Sequence, residues 1–415
     1  MGNSPTTELA VDDIHLGELE TWLRPDLEGV FAKLRAERPV SFHHEQAYQN
    51  LPAGPGFWAL ARYDDIMRVS RDPHTLVSGR GTNIGDIPQE LAEFLGSMIN
   101  MDAPRHTKLR LIVSRGFTPR QIKKIEESVR ERARSVVDAV AEKGECDFVS
   151  EIAAPLPLQI VCDMLGIPAS DEHRVFELTN TILGVGDPEY VTSLEELMAA
   201  GYELYQYGLD LAEDRRRHPG DDITTTLMHA EVDGQQLTAS ELGSFFVLLV
   251  AAGNETTRTA ISHGMLALTH HRDQRSRWQD DFEHVSPTAV EEIVRWATPV
   301  INFRRTATRD VEIDGQPIRE GDKVVMFYNS ANRDEHAFDD PYRFDVTRSP
   351  NEHLGFGGGG PHFCLGANLA RREIKVMFEE LFRRLPDIEV TGEPAMLVSS
   401  FIHGIKRMPV SFTPA

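Results

Sequence analysis

Cysteine is scarce in this chain: Cys146, Cys162 and Cys364 are its three cysteines among 415 residues. So few exclude a disulfide framework and fit a reducing compartment. Positive charge is also short, with 43 Lys and Arg against 65 Asp and Glu and a formal net charge of -22. That balance argues against nucleic acid as a partner, because phosphate binding needs clustered cations. There is no apolar run of about eighteen residues, so no transmembrane anchor is expected. The opening MGNSPTTELAVDD is polar and acidic, unlike a signal peptide, and a cytoplasmic location is expected. Internal repeats and long low-complexity linkers are missing as well.

What is present is mostly helix. Helical patterns dominate from about Pro104 to Leu268, broken where LGIPASD, GVGDPEY and RRHPGDD bring Gly and Pro together. Residues 1 to 50 read as an irregular, Pro-containing lead-in. FWALARYDD carries a short strand and then a turn into a helix. In VEIDGQPI, Asp314-Gly315 between two β-prone runs predicts a hairpin, and GDKVVMFY reads as a further strand. The expected class is mainly α with small β-sheets. The β-rich portions lie near the two ends, and the helical bulk at about 104–300 and 364–385. Strands and helices do not alternate as in a doubly wound sheet.

The stretch GFGGGGPHFCLG, Gly355 to Gly366, contains a literal G-x-G-x-x-G at Gly355, Gly357 and Gly360. A dinucleotide fingerprint needs a buried strand before its first Gly and a helix after its third. Here the polar SPNEHL precedes, and Pro361 and His362 follow. A chance match explains the pattern better. Cys364 is more informative. An apolar stripe at Ala370, Ile374, Met377, Phe378, Leu381 and Leu385 marks a helix just beyond it. A cysteine at a helix N-terminus meets unpaired backbone N–H groups and the positive end of the dipole, which favour a thiolate. Most single cysteines are inert core residues, but an inert position needs no glycine-rich loop. Glycines let a flat ligand approach the backbone, so the loop is suited to presenting sulfur to a planar partner.

Two further stretches stand out. LTASELGSFFVLLVAAGNETTRTAISHGMLAL reads as one long helix, with Thr238 and Glu241 as its capping box. Its middle places Glu255 beside Thr256, at a point where Gly253 and the threonines disfavour helix. An acid beside a hydroxyl outlines a proton-delivery device, although a surface Glu with two tolerated threonines is the plainer reading. In EEIVRW, Glu292 and Arg295 share a helix face, and Arg343 in DPYRF is a candidate to complete a buried charge cluster.

AGNETT, E-x-x-R and the Gly-rich cysteine loop, in this order, resemble the cytochrome P-450 superfamily, the haem-thiolate monooxygenases. Phe356 stands eight residues before Cys364 rather than the usual seven. That longer loop is similar to the loop of the actinobacterial sterol and branched-lipid hydroxylases. NMDAPRHTKLR, GNETTRTAISHG, LPLQIVCDMLGIP, ANRDEHAF and FIHGIK resemble that group too. The resemblance implies the P450 fold in a single domain over 1–415, haem b as cofactor and O2 as co-substrate. Cys364 would be the axial ligand of the haem iron. His106, Arg110, Arg305 and His362 would meet the propionates, with Phe356, Gly358, Gly366 and Ala252 also in the haem-binding set. Glu255 and Thr256 would pass protons to dioxygen, while Glu292, Arg295 and Arg343 would be structural.

The implied activity is insertion of one oxygen of O2 into a C–H bond. Electrons would come from NAD(P)H through a ferredoxin and ferredoxin reductase. The implied substrate is a hydrophobic lipid hydroxylated at a terminal methyl, a methyl-branched fatty acid or isoprenoid, with a sterol side chain as the alternative. Ile99, Leu248, Ala252, Val300, Phe303 and Phe401 would line its pocket, although most such residues are core in any protein. A monomer is expected. A nicotinamide dehydrogenase, a haem sensor without turnover, and a zinc site of His353, His362 and Cys364 are rival readings.

Overall fold

One helix organises the molecule. Ala239–His270 runs 32 residues, about 48 Å at 1.5 Å per residue. Thr238 caps it: its hydroxyl accepts from the Glu241 N–H, and the Glu241 carboxylate accepts from the Thr238 N–H. The helix is buried on most of its faces, as expected of an element crossing an interior. Gly253 has a packing reason. A Cβ there would come within 2.6 Å of Val161 on the neighbouring helix Pro155–Leu165.

The computed structural model describes residues 5–47, 52–117, 119–184, 186–190, 193–232 and 234–415. Around the central helix pack Pro155–Leu165, Glu172–Leu183, Leu194–Arg217, Phe282–Ala297 and Ala367–Arg384, with Pro119–Val140 against Pro155–Leu165 and Ala367–Arg384. The largest core cluster joins Phe245, Ile261 and Met265 of the central helix to Trp278, Ile293 and Phe378. A second joins Phe246, Val247 and Val250 to Val161 and Leu204.

At one side sits a five-stranded mixed sheet. Its strands are β1 (Val40–His43), β2 (Phe57–Leu60), β3 (Leu76–Val77), β4 (Asn302–Ala307) and β7 (Lys323–Phe327), in the order β1-β2-β7-β4-β3. Between β4 and β7 the hairpin β5 (Val311–Ile313) and β6 (Gln316–Ile318) turns at Asp314 and Gly315. Both turn residues have positive φ, 46° and 75°, which suits the twist of a tight hairpin.

Two sequence expectations change. The lead-in is not wholly irregular: it contains helix Leu27–Glu37 and strand β1. Val30, Phe31 and Leu34 bury one helix face against the sheet, a pattern short enough to be lost among the polar residues. The helical bulk is also interrupted by Glu145–Asp147, which pairs with the C-terminal strand Pro409–Ser411.

The charge cluster also differs from expectation. Glu292 and Arg295 form a fully buried, two-pronged ion pair at 2.7 and 2.8 Å. Arg343 does not join them. Its side chain is 56% exposed, near Asp345, and only its carbonyl is used, accepting from Arg295 and Arg348. The third member is Arg348, whose Nε donates to Glu292 at 3.1 Å. The reason is reach. The Arg343 backbone already lies against Arg295, so its side chain points outward, while Arg348 turns back from five residues on. Glu292 also accepts from Asn351 and from the Asp345 N–H. Arg348→Ala should therefore destabilise the fold by about 3 kcal/mol or more, by leaving buried charge unmatched. Arg343→Ala should cost about 0.5 kcal/mol or less. Urea unfolding of both variants checks this.

Candidate active site

Two adjoining cavities lie against the central helix. The inner one, about 240 Å³, is bordered by Cys364, Phe356, Gly366, His106, Arg110, Arg305 and His362. The outer one, about 470 Å³, is mostly apolar and reaches Phe401. Ile99, Leu248, Ala252, Thr256, Val300 and Phe303 border both. Residues far apart in sequence thus enclose one space, in which Thr256 sits at the junction.

The cysteine loop is fixed by backbone bonds. The Cys364 N–H donates to the Phe356 carbonyl at 3.0 Å, and the Gly357 N–H to Leu354 at 2.9 Å. Its glycines divide by purpose. At Gly366 an added Cβ would meet nothing, and the position faces the cavity. Gly358 does not border the inner cavity. A Cβ there would come within 2.9 Å of Ser70, and one on Gly360 within 2.4 Å of the Ser70 carbonyl. Gly358 therefore serves the packing of the loop onto helix Tyr63–Ser70, which corrects its placement in the haem-binding set. No strand precedes Gly355, so the dinucleotide geometry is absent.

The Cys364 side chain is exposed yet enclosed by protein, because the space it faces is the inner cavity. That enclosure pushes its thiol pKa up, against the opposing pull of the Gly366 N–H, Arg110 and Arg371. The thiolate expected from the helix terminus is thus outweighed by burial. A cation facing the sulfur would reverse that order. His353 is no partner for Cys364: one ring nitrogen pairs with Glu291 and the other accepts from the Gly355 N–H. Among the described residues no cluster of metal-binding side chains assembles.

One wall of the inner cavity is cationic and unbalanced. Arg305 is 5% exposed and donates to the Arg304 carbonyl; Arg110 donates to the Phe363 carbonyl. Neither forms an ion pair with a carboxylate among the described residues. The His106 and His362 rings lie tilted against each other, 4.2 Å between centroids. Burial and the neighbouring arginines hold both imidazoles neutral, His362 down to about 2. His362 is fixed by Ser78 at 3.1 Å, while Nε2 of His106 is buried without a partner. The buried guanidinium of Arg305, the half-buried one of Arg110 and an orphaned imidazole nitrogen call for an anionic acceptor.

Glu255 and Thr256 diverge. The Thr256 hydroxyl donates to the Ala252 carbonyl at 2.7 Å and faces both cavities. Glu255 borders neither. It is buried and bonded to Arg258, which also donates to Asn180 at 2.9 Å. The two side chains of the expected acid–alcohol pair thus lie in different surroundings. Arg258 was legible three residues after Glu255 in GNETTR. Ser78 and the Arg371 guanidinium 4.5 Å from the Phe356 ring carried no such local signal.

Known proteins are similar to this chain in sequence and in fold. The family profile described as Cytochrome P450 matches residues 189–390. The chain is 52% identical to the methyl-branched lipid omega-hydroxylase of Mycobacterium tuberculosis, over 100% of this chain and 98% of that protein. It is 44% identical to the steroid C26-monooxygenase of Rhodococcus jostii, over 93% of this chain and 82% of that protein. A Mycobacterium marinum cytochrome P450 solved in complex with pseudoionone superposes with a TM-score of 0.92 at 45% identity, covering 99% of this chain and 100% of that one. Likeness sustained over whole chains, in sequence and in fold alike, makes this protein a member of the cytochrome P450 family and a monooxygenase.

Proposed function

We propose that the inner cavity holds haem, with the Cys364 sulfur on its iron and Arg110, Arg305, His106 and His362 receiving its propionates. The observation that carries this reading is the unbalanced cationic wall on the same cavity as the cysteine. Two guanidiniums match two carboxylates in charge, and the neutral imidazoles can add hydrogen bonds. Gly366 leaves room for a flat ring, and the Phe356 carbonyl holds the loop by accepting from the Cys364 N–H, with the Arg371 guanidinium over the Phe356 ring. When bound, haem supplies the activation of O2 with electrons from a redox partner, which we take to be a ferredoxin supplied from NAD(P)H by its reductase.

The chain's own part is positioning. Thr256 holds a hydroxyl where the two cavities meet, and releasing its bond to Ala252 frees it to pass a proton. Glu255, fixed by Arg258, stands behind it. Ile99, Leu248, Ala252, Val300 and Phe303 narrow the passage and exclude water there, and Phe401 extends the apolar wall outward. The outer cavity suits a lipid that enters by one end. Together with the names of the two relatives, this supports terminal hydroxylation of a methyl-branched fatty acid or isoprenoid. The steroid C26-monooxygenase relative supports a second reading, hydroxylation of a sterol side chain.

Three outcomes are expected. Reduced protein under carbon monoxide should show the thiolate-ligated absorption band, and Cys364→Ala should lose it; a histidine-type spectrum in the wild type contradicts the ligand assignment. Thr256→Ala should lower product formed per NAD(P)H by about tenfold or more, measured against total NAD(P)H consumed. Methyl-branched lipids should shift the haem spin state with about tenfold tighter apparent Kd than linear chains of equal length, read by optical titration.

A further inference from the structure

Arg304 and Arg305 are neighbours on β4, and successive side chains of a strand point to opposite faces. Arg305 borders the inner cavity. Arg304 turns the other way, borders neither cavity and is 4% exposed. There it grips a segment without regular structure. Between β3 and helix Gln89–Gly96 the chain has no strand and no helix, so no backbone ladder fixes it. Residues 82–87 of this segment nevertheless form part of the outer cavity's wall.

Arg304 supplies what the segment lacks. Its N–H donates to the Thr82 carbonyl at 2.8 Å. Its guanidinium donates to the carbonyls of Arg80 at 2.9 Å and Asn83 at 3.4 Å, and to the Asp86 carboxylate at 2.6 Å. A second buried cation completes the grip. Lys323 on β7 lies opposite Thr306 and so shares the face of Arg304. Its ammonium donates to the Ile84 carbonyl at 3.1 Å and pairs with the other Asp86 oxygen at 2.7 Å. It also pairs with Glu45 at 2.6 Å, in a second segment that borders the same cavity. Two carboxylates thus balance two cations. Burial works to raise the Asp86 pKa, but the bonds from Lys323 and Arg304 outweigh it and hold the group below its ordinary value. Moving Asp86 away would leave two desolvated cations short of a partner, so the wall is held in one position.

Resting on the reading of the outer cavity as the path of the lipid, we propose that Arg304 is a positioning residue for substrate selection. With Lys323 it holds Asp86, and through Asp86 it holds residues 82–87 as an unyielding wall that sorts lipids by shape. A single extra methyl is worth about tenfold or more to a close-fitting pocket. A wall that gives way forfeits that difference, because the tighter fit of one chain is then matched by adjustment around another.

The test uses the haem-loaded protein with Asp86→Asn, Arg304→Gln and Asp86→Glu. The carbon monoxide spectrum should stay that of the wild type in all three, since neither side chain borders the inner cavity. In Asp86→Asn and Arg304→Gln the preference for methyl-branched over linear lipids should fall from about tenfold to about twofold, read as the ratio of apparent Kd values in spin-state titrations. Asp86→Glu keeps the charge and should retain most of the preference. A purely structural role would lower Tm and leave this ratio alone. Trypsin should cut after Arg80, whose carbonyl Arg304 holds, at least about tenfold faster in the first two variants than in the wild type. An unchanged ratio in Asp86→Asn would overturn the proposal. That variant decides even where Arg304→Gln fails to fold, because the Asp86 side chain is 51% exposed. A wild type that prefers neither lipid class would instead overturn the reading of the outer cavity on which the proposal rests.

Discussion

The buried carboxylate of Glu292 is the constraint on which the site depends. The chain from Asn332 to Gly366 has no strand and no long helix, so no backbone ladder can place it. Side-chain bonds do so instead. Glu292 receives Arg295, Arg348, Asn351 and the Asp345 N–H, while Arg295 reaches the carbonyls of Asn332 and Pro341. A carboxylate in an apolar interior is tolerable only when every lone pair is met. That requirement pins the irregular segment that leads directly into the cysteine loop. The loop then closes onto helix Tyr63–Ser70 through Gly358 and Gly360, where no side chain fits. Cys364 is positioned by these contacts in series.

The central helix performs a different service. Because successive residues on a helix are turned by about 100°, adjacent side chains face different spaces. Thr256 meets both cavities, Glu255 meets Arg258, which reaches Asn180 of helix Glu172–Leu183, and Thr257 borders the inner cavity. One turn of helix therefore sends to different surroundings three side chains that a linear reading places side by side. The close approach at Gly253 and the capping box at Thr238 keep the helix in register across the interior.

The architecture was largely legible. The long helix with its cap, the Asp314-Gly315 hairpin and the helix after Cys364 all follow from periodicity and turn chemistry, which are local. The residues of the apolar passage were legible through resemblance. Less legible were contacts set by reach rather than spacing. Arg343 and Arg348 are equivalent on paper, and only the path of the backbone selects Arg348. Gly358 and Gly366 are identical residues in one loop, yet one accommodates Ser70 and the other opens onto the cavity.

By itself, the sequence determined the elements, the candidate sulfur ligand and the family, because these rest on short-range pattern and on motif order. The tertiary structure alone decided which charged groups are left unbalanced around the cysteine, that burial outweighs the helix terminus at its thiol, and that Thr256 borders the cavity while Glu255 is turned from it. Those outcomes depend on desolvation and on which elements the fold brings around each group. Both are properties of the packed chain, and no window of sequence contains them.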